Sequence, residues 1–294
     1  MKILQVIPYF CFGGAETMCE NLTYALRDLG HDVVVVSLFD ERTEISGRME
    51  AAGVRIRYLS KKPGLDMSVV PKLTKIFREE RPDVVHTHLN VILYAVMAAR
   101  LAGDIPCVHT VHNVAKVEAE GTAQAILNRF YYHRGWSVPV ALSPEVQRTV
   151  TEFYGLDRVP VIFNGVNLHR CIPKRSYGLG DTVSLLHIGR FDEQKNHAGL
   201  LQAFAKLLKN HPNCCLNLLG DGHLRTEMEK YARELGIGHA VHFLGNQADV
   251  HPYLHDADMF LLPSKYEGMP MTIIEAMGTG LPIVASRVGG VPDM

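Results

Sequence analysis

Short runs rich in Val, Ile and Leu alternate with helix-period segments along this whole chain, and that alternation constrains its fold most. The strand-length runs are KILQVIP (2–8), DVVVVSL (32–38), VRIRYL (54–59), DVVHTH (83–88), PCVHTV (106–111), VPVALS (138–143) and VPVIFN (159–164). A second series follows: VSLLHIG (183–189), CCLNLLG (214–220), AVHFLG (240–245), DMFLLP (258–263) and PIVAS (282–286). Between them lie helical patterns such as Ala15–Leu29, Val69–Glu80, His197–Lys209 and Leu224–Leu235. Continuously apolar strands separated by helices predict parallel sheets covered on both faces. One sheet does not hold so many strands comfortably. Periodicity fails at 165–182, where Gly, Pro and charge collect, so the chain divides into a domain over 1–165, a linker over 166–181 and a domain over 182–294.

Bulk properties remove several function classes. A net charge of −1 gives no reason to expect a nucleic-acid partner. No stretch of about 18 uncharged apolar residues is present, so the sequence predicts no membrane-spanning helix. The opening MKILQVIPYF has a short apolar run broken by Pro8, with no small-residue cleavage site, and reads as a first buried strand. The six cysteines show no C-x-x-C spacing, which points to reduced, cytoplasmic usage.

Ligands of open parallel sheets bind beyond the carboxyl ends of the strands, near helix N-termini. After the first strand comes FGGAET (12–17), whose Gly13–Gly14 pair permits close backbone approach. It is neither G-x-G-x-x-G nor a Walker loop, and Glu16 works against phosphate there; a tight strand-to-helix turn explains the glycines equally well. His86, His88, His109 and His112 cluster at two strand ends; no nearby carboxylate completes a metal site, so none is expected. His112 stands apart because it falls at a carboxyl end. In GRFDEQKN (189–196), Arg190 and Lys195 flank a helix entrance and suit a diphosphate, or else are solvated surface charges. Gly220 and Gly222 in GDG repeat the turn, a weak signal by itself. In SKYEGMPMTIIEAM (264–277), Glu267 sits in a loop and Glu275 in the following helix. Both can face one crevice, where carboxylates accept hydrogen bonds from vicinal hydroxyls. A glycosidase-like acid/nucleophile pair is the alternative, but that chemistry has no need of the Arg/Lys pair.

Taken in order, GGAE (13–16), PDVVHTH (82–88), VHN (111–113), FNGV (163–166), GRFDEQKN, GDG, FLG (243–245) and EGMPMTIIE with its E-x7-E spacing resemble the retaining glycosyltransferases of family 4. The resemblance implies the GT-B architecture, an α/β fold of two facing Rossmann-like, doubly wound parallel-sheet domains. It also implies an incomplete second domain, because members of the family continue beyond GGVPDM with another strand and several helices. The first domain would serve the acceptor and the second the nucleotide-sugar donor.

The resemblance further implies roles for single residues. Arg190 and Lys195 would hold the donor diphosphate and stabilise the departing nucleoside diphosphate. Glu275 would bind the ribose, and Glu267, with Gly268 and Met269, the hydroxyls of the sugar. His112 would touch the sugar, Gly13 and Gly14 the phosphates or the acceptor, and Gly220, Gly222, Leu244 and Gly245 the base. Transfer would proceed with retention, without metal, cofactor or covalent glutamate intermediate, and with domain closure excluding water. The implied donor is a UDP- or GDP-linked sugar, and the acceptor a glycan or lipid-linked molecule, as in cell-surface polysaccharide synthesis. A non-catalytic nucleotide-sugar binder and a sugar-nucleotide epimerase of the same fold are the alternatives.

Peripheral membrane contact is a further reading. Between Arg55 and Arg81 stand eight Lys/Arg (Arg55, Arg57, Lys61, Lys62, Lys72, Lys75, Arg78, Arg81) against Asp66, Glu79 and Glu80. With Val69, Val70, Leu73, Ile76 and Phe77 on one helix, this segment could approach anionic lipid at the inner face of the membrane, unless those apolar residues pack on the sheet.

Overall fold

The computed structural model describes residues 1–11, 13–119, 121–174, 176–177 and 180–294. Phe12 of the FGGAET stretch and Arg175, Gly178 and Leu179 of the 166–181 segment lie outside the described residues. The chain divides into two compact units, Met1–Gly165 and Val166–Pro292.

In the first unit the elements run β1 (Lys2–Ile7), α1 (Gly14–Asp28), β2 (Asp32–Ser37), α2 (Glu44–Ala51), β3 (Arg55–Tyr58) and α3 (Val69–Glu80). They continue with β4 (Val84–His88), α4 (Ile92–Gly103), β5 (Cys107–Val111), α5 (Ala115–Glu118), α6 (Thr122–His133), β6 (Val138–Ala141) and α7 (Pro144–Tyr154). The second unit carries β7 (Val183–Ile188), α8 (His197–Asn210), β8 (Cys214–Leu219), α9 (Arg225–Glu234), β9 (Val241–Gly245), α10 (His251–Asp256), β10 (Met259–Leu262), α11 (Met271–Gly278) and β11 (Ile283–Ala285).

Among the described residues the strands form two parallel sheets, ordered β3-β2-β1-β4-β5-β6 and β11-β10-β7-β8-β9. Each is the Rossmann-like order, reversing direction between β1 and β4 in one sheet and between β7 and β10 in the other. At such a switch point the flanking loops part and leave a crevice at the carboxyl ends.

Burial on both faces explains why the strands read as unbroken apolar runs. In β2, Val34 and Val36 join Leu4, Val6, Val85 and the apolar stripes of α3, α4 and α7, while Val35 joins Ile7, Phe10, Cys19 and Met49. Alternate side chains of one strand thus feed two helix layers. The second sheet is covered likewise, with Leu216 and Leu218 facing Leu201 and Phe204, and Leu219 and Leu262 facing Ile273 and Ala276.

The run 159–164 is not a strand. Val161 makes only an isolated bridge to Ala141, and Ile162 and Phe163 are exposed. Pro160, which has no N–H to give a ladder, limits the pairing. In the 166–181 segment, Lys174 N donates to Thr279 O and Cys171 packs on Gly278, so this stretch lies against α11 of the second unit. Val69, Val70, Leu73, Ile76 and Phe77 are all buried in the first core, and so are not available to a lipid surface. Several of the nearby cations are paired: Arg55 with Asp32 and Glu80, and Arg57 with Glu79.

Candidate active site

At the switch point of the second sheet, the loop after β7 (Gly189–Asn196) meets the loop after β10 (Pro263–Pro270). Lys195 Nζ reaches Glu267 Oε1 at 2.6 Å, and the two side chains are only 17% and 5% exposed. Gln194 Nε2 donates to Glu267 Oε2 at 3.3 Å and to Tyr266 O at 3.0 Å, while Lys265 N donates to Gln194 O at 2.8 Å. Both oxygens of Glu267 are therefore engaged, and the loop that carries it is tied to the β7 loop. Its other side is backed by the C-terminal glycines. Gly290 N donates to Gly268 O at 2.9 Å, and a Cβ on Gly289, which sits at φ +52°, would stand 1.7 Å from Glu267 O. Only glycine fits that combination of backbone angle and contact.

α11 begins at Met271 with Pro270 before it and no side chain capping it, which leaves first-turn N–H groups for a ligand. Glu275 is buried in its second turn. It lies within electrostatic reach of Cys171, whose thiol is pushed up to about 11 by burial and then by this carboxylate. Arg190 is exposed, with Nε donating to Asp192 Oδ2 at 3.0 Å; Asp192 Oδ1 in turn accepts from Lys195 N at 3.2 Å. The loop thus presents one exposed and one part-buried cation.

The GDG turn acquires a packing reason. A Cβ on Gly220 would lie 2.1 Å from Gly189 O, and one on Gly222 would lie 2.5 Å from Phe191 O. These glycines let the β8 turn press on the β7 loop. Gly220 N also donates to Gly245 O at 2.8 Å, which gathers Gly220, Leu244 and Gly245 at adjacent strand ends. Behind the loop, His187 Nδ1 bonds Leu261 O at 2.8 Å, and burial pushes its pKa down to about 3. His197 stacks on Phe191 with ring centroids 3.9 Å apart.

In the first unit, Gly13 precedes α1, and Glu16 folds back so that its Oε2 is 2.5 Å from where a Gly13 Cβ would stand. Glu16 is buried, and Cys11 Sγ donates to its Oε1 at 2.9 Å. The N-terminus of α1 therefore already faces a carboxylate. His112 follows β5 and is part-exposed, and its Nε2 lies 3.2 Å from His88 Nδ1. Burial, then the neighbouring His109 and His86, pushes it down to about 3. Among the described residues no group of three or more His, Cys, Asp or Glu is placed to hold a metal ion. None of their helices is long and apolar enough to cross a membrane.

The structure brings Lys195 and Glu267 together, and Gly220 with Gly245. Arg190 points to Asp192 instead, and Glu275 lies toward Cys171. Gln194, Asp192 and Gly289 were missed as participants. Their signal was present in GRFDEQKN and VGG, but Gln194 and Gly289 find their partners on the β10 loop, while Asp192 bonds Arg190 and Lys195 within its own.

Two Rossmann-like parallel-sheet units are those of the GT-B fold. Residues 12–170 match the sequence model of Glycosyltransferase Family 4 and residues 174–294 that of Glycosyl transferases group 1. The first match spans more than half of the chain, and the chain belongs to glycosyltransferase family 4.

A glycogen synthase of Mycobacterium tuberculosis is 28% identical over the whole chain and 80% of its own length. A UDP-Gal:alpha-D-GlcNAc-diphosphoundecaprenol alpha-1,3-galactosyltransferase of Escherichia coli is 30% identical over 76% of this chain and 63% of its own. The crystal structure of Anabaena Alr3699/HepE with UDP and glucose superimposes with a TM-score of 0.86 at 22% identity, covering 100% of this chain and 82% of that one.

Proposed function

We propose that this glycosyltransferase is a retaining, metal-independent enzyme that moves a sugar from a nucleoside-diphosphate sugar to a glycan or lipid-linked acceptor. The observation that carries this reading is the part-buried Lys195–Glu267 pair, held by Gln194 beside the uncapped start of α11. A cation next to free helix N–H groups suits a diphosphate, and a carboxylate next to it suits sugar hydroxyls. The HepE structures with UDP and with UDP-glucose support the donor class, and the acceptor named for the E. coli relative supports a lipid-linked one.

In this reading the domain over 182–294, within the second unit, is the donor side and the first unit, over 1–165, the acceptor side. Lys195 and Arg190 stabilise the charge that develops on the departing diphosphate, and the fixed Glu267 orients the sugar, so little reorganisation accompanies bond cleavage. Glu275 binds the ribose, the Gly220–Gly222 and Leu244–Gly245 turns border the base, and His112 contacts the donor sugar. Gly268 and Met269 lend amides to the sugar; Gly13 and Gly14 approach phosphate or acceptor. A lipid-linked acceptor would draw the chain to the inner face of the membrane through the cations of 55–81.

The test is a thermal-shift panel of UDP, GDP, ADP and their sugar conjugates on this chain and on Glu275→Ala. A ligand at 100 times its Kd stabilises by about 2.7 kcal/mol, roughly 5–10 °C at this size. A shift by one nucleotide that the variant loses names the donor; a cooperative melt that nothing shifts removes the donor-site assignment. Anomeric configuration of the product by NMR then tests retention, and inversion would refute it.

A further inference from the structure

The first unit contains a line of hydrogen bonds that donor recognition by itself does not explain. Thr23, Cys19, Gln5 and His88 are fully buried, and they lead to the part-exposed His112. Gln5 stands opposite His86 in the β1–β4 register, so Gln5, His86 and His88 share one face, the face on which α1 presents Cys19 and Thr23. Thr23 Oγ1 donates to Cys19 O at 2.8 Å, and Gln5 Nε2 lies 2.6 Å from Thr23 Oγ1. Gln5 Oε1 lies 2.9 Å from His88 Nε2 and accepts from Cys19 Sγ at 3.6 Å. His88 Nδ1 is 3.2 Å from His112 Nε2.

Two proton arrangements run the length of this line with neutral rings. In the first, Thr23 gives its only hydroxyl hydrogen to Cys19 O and so accepts from the Gln5 amide nitrogen. Gln5 Oε1 then accepts from His88 Nε2–H, His88 Nδ1 accepts from His112 Nε2–H, and His112 Nδ1 keeps its lone pair. The second arrangement reverses every donor. It takes the hydroxyl hydrogen away from Cys19 O and turns the Gln5 amide nitrogen toward the Cys19 thiol, so two hydrogen bonds are lost among side chains shut off from solvent. The first arrangement wins on that difference. Burial holds both rings neutral, with His88 pushed well below the ordinary imidazole range and His112 down to about 3.

We infer that Thr23, Gln5 and His88 are positioning residues that hold His112 as its Nε2–H tautomer, leaving the Nδ1 lone pair as an obligate acceptor for a ligand hydroxyl. His112's contact with the donor sugar rests on the function proposed above; its tautomer does not. An acceptor of this kind selects ligands that present an O–H, and rejects sugars in which fluorine or a carbonyl replaces it.

The tautomer is read directly from long-range 1H–15N spectra of the full chain labelled with 15N-histidine, with His112→Gln identifying the ring. We expect Nε2–H on His88 and His112 in the wild type, and mixed tautomers in both Gln5→Met and Thr23→Val. Protonation of His112 at Nδ1 in the wild type overturns the inference, as do unchanged tautomers in the two folded variants. Affinities for the nucleotide panel supply the functional arm. A variant with evenly mixed tautomers should bind the sugar conjugate about twofold more weakly, because only about half of its molecules present the acceptor, while affinity for the bare nucleoside diphosphate stays the same. Equal loss for both ligands marks a merely structural effect and overturns the positioning role, and so does wild-type affinity for both. If no nucleotide sugar shifts the wild type, the donor reading fails while the tautomer result stands or falls by itself.

Discussion

The two sheets share one strand order but equip their switch points in opposite ways. Beside β1 and β4 the first unit places neutral rings and amides, His88 bonded to Gln5 and to His112, with Glu16 already occupying the start of α1. Beside β7 and β10 the second unit places a part-buried ion pair, Lys195 with the buried Glu267, and an uncapped α11. The same backbone geometry thus offers directional hydrogen bonding in one place and charge in the other. What separates them is only which side chains the loops bring in, which is why the fold alone does not state the chemistry.

The comparison breaks most readily at the ion pair. Lys195→Ala leaves a buried carboxylate without its cation, and should cost the second unit about 3–5 kcal/mol and transferase turnover several orders of magnitude. Urea unfolding and donor turnover measure the two effects; a variant as stable as wild type would show that the pair is not desolvated. Next comes Gly289→Ala, whose Cβ has no room against Glu267 O and whose φ is left-handed. We expect a loss of more than about 2 kcal/mol, with the donor-induced thermal shift lost as well, and a crystal structure of the variant should show the Glu267 loop displaced.

Acid sharpens the contrast. Burial holds His86 at about 4 and His109 and His112 at about 3, below the ordinary 6.5. As pH falls through 6.5 the unfolded chain takes up these protons and the folded unit does not. The stabilisation is therefore complete above about pH 6.5 and lost progressively toward pH 3, with a slope of up to about 1.4 kcal/mol per pH unit for each histidine. The second unit carries His187 at about 3 and His197 at about 4, and its slope should be shallower. The single tryptophan, Trp136, lies in the first unit, so its fluorescence in urea titrations at pH 7, 6 and 5 follows that unit. A midpoint independent of pH would refute the neutral-ring assignment. The smallest effect belongs to the exposed Arg190–Asp192 pair: Asp192→Asn should change stability by less than about 1 kcal/mol, and less still in high salt.

Much of the fold was legible because burial on both faces writes a parallel sheet into the sequence as apolar runs, and α3 falls on Val69–Glu80 as its spacing predicts. The run 159–164 misled because Val159 and Val161 have strand character while Pro160 does not allow a ladder to grow. In the site, Lys195 and Glu267 could be picked out by residue type and position after strands, but not as partners of one another. Gly220 and Gly222 looked like room for a ligand, and the structure fills that room with Gly189 and Phe191 backbone. Nothing within either segment reports such a contact, because its two sides are about thirty residues apart.

The sequence by itself determined two parallel α/β units and the loops in which chemistry can lie, since local periodicity and turn residues act over a few neighbours. The tertiary structure decided which of those residues meet. Gln194 ties down Glu267, Gly289 backs it, and Gln5 reaches His88 across 83 positions. Strand pairing brings such groups within hydrogen-bonding reach of one another, and at that distance hydrogen bonds and charge, rather than composition, set what each can do.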